Sequence, residues 1–412
     1  MAGEWCERPL GELTENFDSV RVPVKEADRR AGSYPYYGAS GIVDYVDSYL
    51  FDGEYLLIAE DGENLRTRQT PVAFMARGKF WVNNHAHIIR ANQEADTQFL
   101  MYALAASDIS GYLTGSTMPK LTQGNMNRIP ILAPPPDEQR AIAHILGTLD
   151  DKIELNRRAN ETLEATARAL FKSWFVDFDP VRAKAEGRDS GLPKPLADLF
   201  PARLIDSELG EIPEGWEVKS LDQIARFLNG LALQKYPPVD GRSLPVIKIA
   251  QLRAGNTDGA DRASADLQGD YVVHDGDILF SWSGSLECLL WAGGRGALNQ
   301  HLFKVTSDQY PQWLCYLGIH QHLDDFRRIA AGKATTMGHI QRHHLSDAKL
   351  PVPPPTLLPA IDAMIAPIIE STWRRAVQSR MLAAVRDTLL PKLITGELQT
   401  GTPFGHAARR PE

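Results

Sequence analysis

The sequence predicts an α+β chain built from two tandem mixed α/β heads, each followed by a long helix. Three observations carry this expectation: self-similarity at an offset near 219, a triple proline closing each head, and a proline-free heptad pattern after the first of them. The boundaries that follow are a first head over 1–136, a helix over 137–176, a connector over 177–210, a second head over 211–355, a second helix over 356–396 and a flexible tail over 397–412.

The repeat is read from several anchors. Thr117-Met118 and Thr336-Met337 lie 219 residues apart, and the same offset sets Leu121 on Ile340, Ile131 on Leu350 and Pro134-Pro135-Pro136 on Pro353-Pro354-Pro355. Upstream, Trp5, Leu10 and Leu13 match Trp216, Leu221 and Ile224 at an offset of 211. Between them, Asp52-Gly53-Glu54-Tyr55-Leu56-Leu57 parallels Asp275-Gly276-Asp277-Ile278-Leu279-Phe280, and Asn83-Asn84-His85 parallels Asn299-Gln300-His301. Drift of the offset between 211 and 223 is what loop insertions produce.

Within each head, short apolar runs at 55–59, 86–89, 246–249, 277–280 and 302–305 read as strands separated by Gly, Asn and Asp turns. Residues 98–106 and 312–329 read as short amphipathic helices. Proline continues neither a strand interior nor a helix, so each triple proline stops its head.

From 137 to 174 there is no proline and one glycine, Gly147. Ile142, Leu146, Leu149 and Ile153 step by four and three into Asn156 and Asn160, then on to Leu163, Ala167, Leu170 and Trp174. Such a seam, far longer than an average helix of about 11–12 residues, needs a partner. The second repeat supplies one over about 360–390, with Ile361, Ile365, Ile368, Val377, Met381, Ala384 and Val385 available to pack. Pro367 is expected to kink that helix or displace its start. Asn156 and Asn160 are expected to set register at some cost in stability.

A net charge of -8 argues against coating a polyanion by charge alone, so any nucleic-acid contact must be local. Local basic clusters exist: Lys120 and Arg128 in the acid-free stretch 111–128, then Arg66, Arg68, Arg77, Lys79 and Arg90. In the second half Arg327, Arg328, Lys333, Arg342 and Lys349 gather around His339, His343 and His344. A solvated face explains any one cluster; recurrence at matching places points to a shared role. Cys6, Cys288 and Cys315 are too few and too scattered for a disulfide framework or a four-ligand zinc site, and read as reduced thiols. With no apolar run of 18 residues and no signal-peptide pattern, a cytoplasmic location is expected.

Enzymatic signatures are missing. Gly332-Lys333 is followed by Ala334, and Arg327 stands where a phosphate-cradling loop needs its first glycine. His339 is followed by Ile340 rather than the Glu of a zinc-protease helix, so no metal is expected there. Ser281, Ser283 and Ser285 lack the glycines of a nucleophile elbow. Lys235-Tyr236-Pro237-Pro238 is only superficially like an amino-methyltransferase motif.

The order of head, triple proline, helix, connector, head, proline run and helix resembles the specificity subunits of Type I restriction-modification systems. The motifs that carry the resemblance are the run from Pro134 to Ile142, the run from Lys172 to Pro180 and the run from Leu390 to Leu398, with one departure, Leu357-Leu358 in place of the Glu138-Gln139 pair. The resemblance implies two target-recognition domains that read the halves of a split DNA site, an antiparallel coiled coil that fixes the unread spacer, and a pseudo-twofold chain presenting two docking faces. It implies double-stranded DNA as ligand and, as partners, two modification subunits that bind S-adenosylmethionine and methylate adenine, with restriction subunits that use ATP and Mg; no cofactor is expected on this chain. A 38-residue helix would be roughly 57 Å long, against about 34–36 Å for a DNA turn, a plausible ruler.

Candidate DNA-contacting residues are the polar and basic side chains suited to base edges or phosphates. In the first head these are Asn64, Arg66, Arg68, Lys79, Asn83, Asn84, Lys120 and Gln123. In the second they are Lys248, Gln251, Arg253, Ser283, Gln300, Lys333, Thr335, His339, Gln341 and Arg342. Asn83 and Asn299, recurring in heads that should read different sequences, also fit a structural role. Two other classes remain open: a stand-alone DNA-binding or anti-restriction protein without methyltransferase partners, and a nuclease, favoured only by acidic pairs such as Glu60-Asp61.

Overall fold

The computed structural model describes residues 5–332 and 338–400. Contacts divide the chain into two compact units, 1–152 with 382–412, and 153–381. The expected sites Lys333 and Thr335, the repeat anchor Thr336-Met337 and residues 401–412 of the expected tail lie outside the described residues.

In the first unit a six-stranded sheet runs in the order Thr14–Asn16, Ala86–Ala91, Phe51–Ala59, Ala73–Val82, Ala31–Gly38, Gly41–Val46. Phe51 pairs with Phe80, and Ala59, at the other end of the same strand, pairs with Ala86. In a flat sheet Phe80 and Ala86 would then lie close to about 30 Å apart, yet the chain between them can reach only about 21 Å. The sheet therefore coils on itself, around the buried Phe51, Leu57, Phe80, Val82, Ala86 and Ile88. Gly53 pairs with Gly78, both at positive φ (137° and 73°), which puts two residues without Cβ atoms opposite each other in the bent hairpin.

A second core lies on the other face. The strand Cys6–Pro9 pairs antiparallel with Pro130–Ala133, the strand that runs into the triple proline. Leu10 and Leu13 are fully buried there with Phe99 and Leu100 of the helix Thr97–Ala106. The first long helix, Pro136–Phe175, opens on a proline, whose missing N–H is harmless in a first turn. Its buried Gln139 donates to the Pro134 and Glu94 carbonyls at 2.8 and 3.2 Å and accepts from the Asp96 N–H at 2.9 Å, nailing the helix start to the head. At Gly147, the lone glycine, a Cβ would lie 2.4 Å from Gln98 Nε2, the movable end of a side chain. Ile142 and Leu146 are buried in this head core with Leu393 and Ile394, so the ends of the heptad seams serve the head.

The second unit repeats the plan with the sheet divided in two. Glu217–Ser220 pairs with Lys349–Val352, and Leu221 and Ile224 are buried as Leu10 and Leu13 are. One four-stranded sheet runs Arg226–Asn229, Leu302–Thr306, Ile278–Ser281, Cys288–Leu290; the other runs Arg262–Ser264, Ser243–Ile247, Gly296–Leu298, Val272–Val273. Pairing corrects the alignment at one place. Ile58 lies opposite His87 and Phe280 opposite Phe303, so Phe280 answers to Ile58 and not to Leu57. A one-residue slip would turn every side chain of the strand to the wrong face.

Within the second unit the long helices are antiparallel. Asn156, fully buried, donates to Gln378 Oε1 at 2.9 Å and Ser379 Oγ at 3.2 Å, while Asn160 donates to the Thr372 carbonyl at 2.9 Å. The second long helix, Leu358–Ile394, therefore uses the seam Ile365, Ile369, Thr372, Ala376, Ser379, which steps by four and three. Met381, expected in the seam, is 61% exposed. Two residues beyond Ser379 it is rotated by about 200° from the packed face. Val385 and Ala384 are likewise exposed, and Ile368 and Val377 flank the seam half-buried. Ile361 and Ile365 are buried in the head core, and Leu149, Ile153, Leu163 and Leu170 are half-buried. Pro367 sits exposed inside the helix, whose start it does not displace.

The connector is anchored. It forms short helices at Asp179–Ala185 and Lys194–Ala197 and a hairpin of Leu204–Ser207 with Gly210–Pro213. Phe178, Val181, Leu196 and Phe200 are buried from it. Phe175 stacks on Phe171 at 4.7 Å and meets Trp216 and Trp313 edge-on at 5.3 and 5.7 Å. This cluster explains the aromatic density at the end of the first long helix.

Candidate nucleic-acid interface

Three loops meet at one end of each sheet, and their backbone bonds are the same in both heads. In the first head the Glu60 N–H donates to the His85 carbonyl at 2.9 Å, Leu121 N–H to the Glu60 carbonyl at 2.8 Å and Gly62 N–H to the Pro119 carbonyl at 3.1 Å. In the second, Trp282 N–H donates to His301 at 3.3 Å, Ile340 N–H to Trp282 at 2.9 Å and Gly284 N–H to Gly338 at 2.9 Å. Isolated bridges pair Asp61 with Lys120 and Ser283 with His339. Gly62 and Gly284 both adopt positive φ (114° and 66°), which explains a glycine at each. Asn83 and Asn299 are both buried, and the Oδ1 of each accepts the N–H of the histidine two residues on, at 2.8 and 3.3 Å. These are matched Asx turns.

On that shared frame the side chains differ: Glu60 answers to Trp282, Asp61 to Ser283, Asn84 to Gln300 and Lys120 to His339. The first head is braced by ions. Arg21 bonds Glu60 Oε2 at 2.8 Å, Lys120 Nζ lies 3.2 Å from Glu60 Oε1, and His85 Nδ1 lies 2.9 Å from Asp61. Beneath them buried His87 faces Asp18 Oδ2 at 2.6 Å and the Leu121 carbonyl at 2.8 Å. Acceptors at both ring nitrogens call for the doubly protonated imidazolium. Burial works against that charge, but the bonds to Asp18 and Leu121 outweigh it and hold the His87 pKa above its ordinary value. Burial likewise opposes the Asp18 charge, and the His87 and Ile88 hydrogen bonds hold its carboxyl below the usual range.

The second head braces the same loops with an indole, an amide and a serine–histidine contact. Trp282 donates from Nε1 to Asn229 Oδ1 at 2.8 Å and lies 3.1 Å from the Gln300 carbonyl. Its ring lies 5.6 Å from that of His301, whose Nδ1 is 3.1 Å from Ser283 Oγ. Where the first head has His87, the second has buried Phe303.

The candidate residues sort accordingly. Asn84, Lys120 and Gln123 are exposed, and Gln300 and His339 are half-buried at the matched loops. Ser283 is a correction: at 3% exposure with its hydroxyl on His301, it presents no edge to a ligand. Asn83 is corrected likewise to the structural role described. Asn64 clasps its own loop, exchanging two 2.9 Å bonds with Thr70. Arg66 donates to the Gly115 carbonyl at 3.0 Å, and Arg68 to the Ser107 and Ala105 carbonyls at 2.6 and 3.3 Å, so both tie loops together. Lys79 lies 4.5 Å over the Tyr49 ring. Lys248 pairs with Asp261, and Gln251 Oε1 accepts the Lys248 N–H at 3.3 Å; Arg253 on the same short helix is exposed. Gln341 precedes the helix Arg342–Asp347, and Arg342 lies 5.8 Å over Phe303 beside an open groove of 620 Å³. Sequence reasoning named Glu60-Asp61 only as a nuclease's acidic pair and passed over Trp282 and the paired histidines as site residues; their signal was the Asn-X-His repeat read together with the loops it bonds.

The family model for the Type I restriction modification DNA specificity domain matches residues 2–165 and 213–369. The chain belongs to that family. It is 26% identical to the MjaIX specificity subunit of Methanocaldococcus jannaschii, covering 96% of this chain and 94% of that one. It is 24% identical to the HindI specificity subunit of Haemophilus influenzae, covering 96% and 100%. A crystal structure of a Type I restriction-modification S subunit from M. genitalium shares the fold, with a TM-score of 0.61 at 14% identity over 95% of this chain and 96% of that one. Specificity subunits are non-catalytic components of Type I restriction-modification complexes, which accounts for the missing enzymatic signatures. No helix among the described residues is long and apolar enough to cross a membrane.

Proposed function

We propose that this chain addresses a Type I restriction-modification complex to a two-part DNA site, each head reading one part through its three-loop frame and the paired helices fixing the unread spacer. The observation that carries the reading is one backbone frame, present twice, carrying different side chains. That is the arrangement expected when two heads must meet duplex in the same way and read different bases. A 40-residue helix is about 60 Å long at 1.5 Å per residue, more than one duplex turn of about 34–36 Å. Two modification subunits would dock on the repeated faces, joined by restriction subunits; S-adenosylmethionine, ATP and Mg would belong to those partners. Co-expression of the chain with its modification subunit in a host without other adenine methylation, followed by genome-wide methylation mapping, tests this. The expected result is a bipartite motif with an undefined spacer that vanishes without the chain. A continuous motif, or the same motif without the chain, contradicts the reading.

A further inference from the structure

We infer that Asn84 and Gln300 are matched adenine-reading residues, one for each half-site, carried at the central position of the shared Asn-X-His turn. The inference rests on the proposed function and goes beyond it by assigning a residue and a base to each head. Of the side-chain pairs that differ on the frame, Glu60/Trp282, Asp61/Ser283 and Lys120/His339 change chemical class, whereas Asn84 and Gln300 remain primary amides. Their neighbours are otherwise occupied: Asn83 and Asn299 are buried and accept the turn's own N–H, and His85 and His301 bond Asp61 and Ser283. Asn84 is exposed, and no side-chain hydrogen bond among the described residues engages its amide. Gln300 is half-buried, its backbone carbonyl 3.1 Å from the Trp282 indole Nε1 and its side-chain Nε2 3.3 Å from His301 Nε2 at the end of the turn.

A carboxamide carries an acceptor and a donor side by side, the complement of the N6 amino group and N7 of adenine in the major groove. The turn is fixed at both ends by bonds to its own frame, so little ordering remains to oppose such a contact. Asn is one methylene shorter than Gln. The first head must therefore approach its base more closely, in keeping with the greater exposure of Asn84.

The test is methylation mapping of the chain co-expressed with its modification subunit, as wild type, Asn84→Ala, Gln300→Ala and Asn84→Asp. Asn84→Ala is expected to relax one A·T position in one half-site, with discrimination there falling by about 5- to 150-fold and the other half unchanged. Gln300→Ala is expected to do the same in the opposite half. Asn84→Asp, which keeps shape but only accepts, is expected to move that position toward cytosine. Variants that keep the wild-type motif at full stringency, or that lose methylation evenly over all positions while melting like wild type, overturn the assignment. A wild-type chain that gives no bipartite motif overturns the proposed function itself, and the inference with it.

Discussion

The first head holds its three loops with an ionic network, Arg21, Glu60, Lys120 and Asp18 around the buried His87; the second holds equivalent loops with Trp282, Phe303 and a serine–histidine pair. The difference teaches that the backbone frame is what the repeat preserves. The chemistry beneath it has diverged, as it can when each solution leaves no buried polar group of the turn unpaired.

The comparison is broken most forcefully at the brace. Trp282→Ala removes a large ring and its indole donor and is expected to destabilise the second head by about 3 kcal/mol, read by chemical denaturation. Glu60→Ala leaves Arg21 facing its gap and His87 without one of its two nearby carboxylates, and the expected loss is about 2 kcal/mol, confined to the first head. Equal loss in both heads from either change would mean that the braces are not independent.

Proton linkage sharpens the contrast, because the heads respond to pH with opposite signs. His87 has a raised pKa, so its contribution is complete below the unfolded value of about 6.5 and is lost as pH rises through the folded value. Asp18, with a lowered pKa, contributes above about 3.9 and loses that as pH falls through its folded value. The second head buries His320, whose pKa burial and then the Arg168 charge push down to about 4. That head therefore loses stability as pH falls from about 6.5 toward 4, by an amount on the order of 2–3 kcal/mol. Hydrogen exchange over pH 5–8 should show Ala86–Ala91 better protected at the acid end and Gln312–Ala331 better protected at the neutral end. His87→Phe, the residue of the second head, should abolish the first trend; a trend that survives excludes His87 as its source.

A smaller effect is expected at the surface. Lys120 is half exposed and shared with Glu60, so Lys120→Ala should weaken binding to the first half-site modestly and reduce the salt slope by about 1. An unchanged slope removes Lys120 from the phosphate contacts.

Much of this was legible in the sequence. The triple prolines, Leu10 and Leu13 with Leu221 and Ile224, and the Asn156 and Asn160 steps gave the heads, the framing strands and the first seam, because burial and heptad spacing write themselves as pattern. The second seam was misread. Its centre is Thr372, Ala376 and Ser379, which carry no hydrophobic signal, while Met381 and Val385 do and face outward. The site was half legible for a similar reason. Arg66, Arg68 and Asn64 look like ligand contacts until their backbone partners are seen, and Glu60 and Trp282 share no chemistry by which one could be matched to the other. Only the hydrogen bonds of the frame equate them.

The central claim is that each head is a self-contained reader on a common frame. The measurement that tests it most directly replaces residues 216–352 by a second copy of residues 5–133 and maps methylation with the modification subunit present. The account predicts a site in which the first half-sequence appears on both sides of the spacer. A site that still contains the second half-sequence would contradict it.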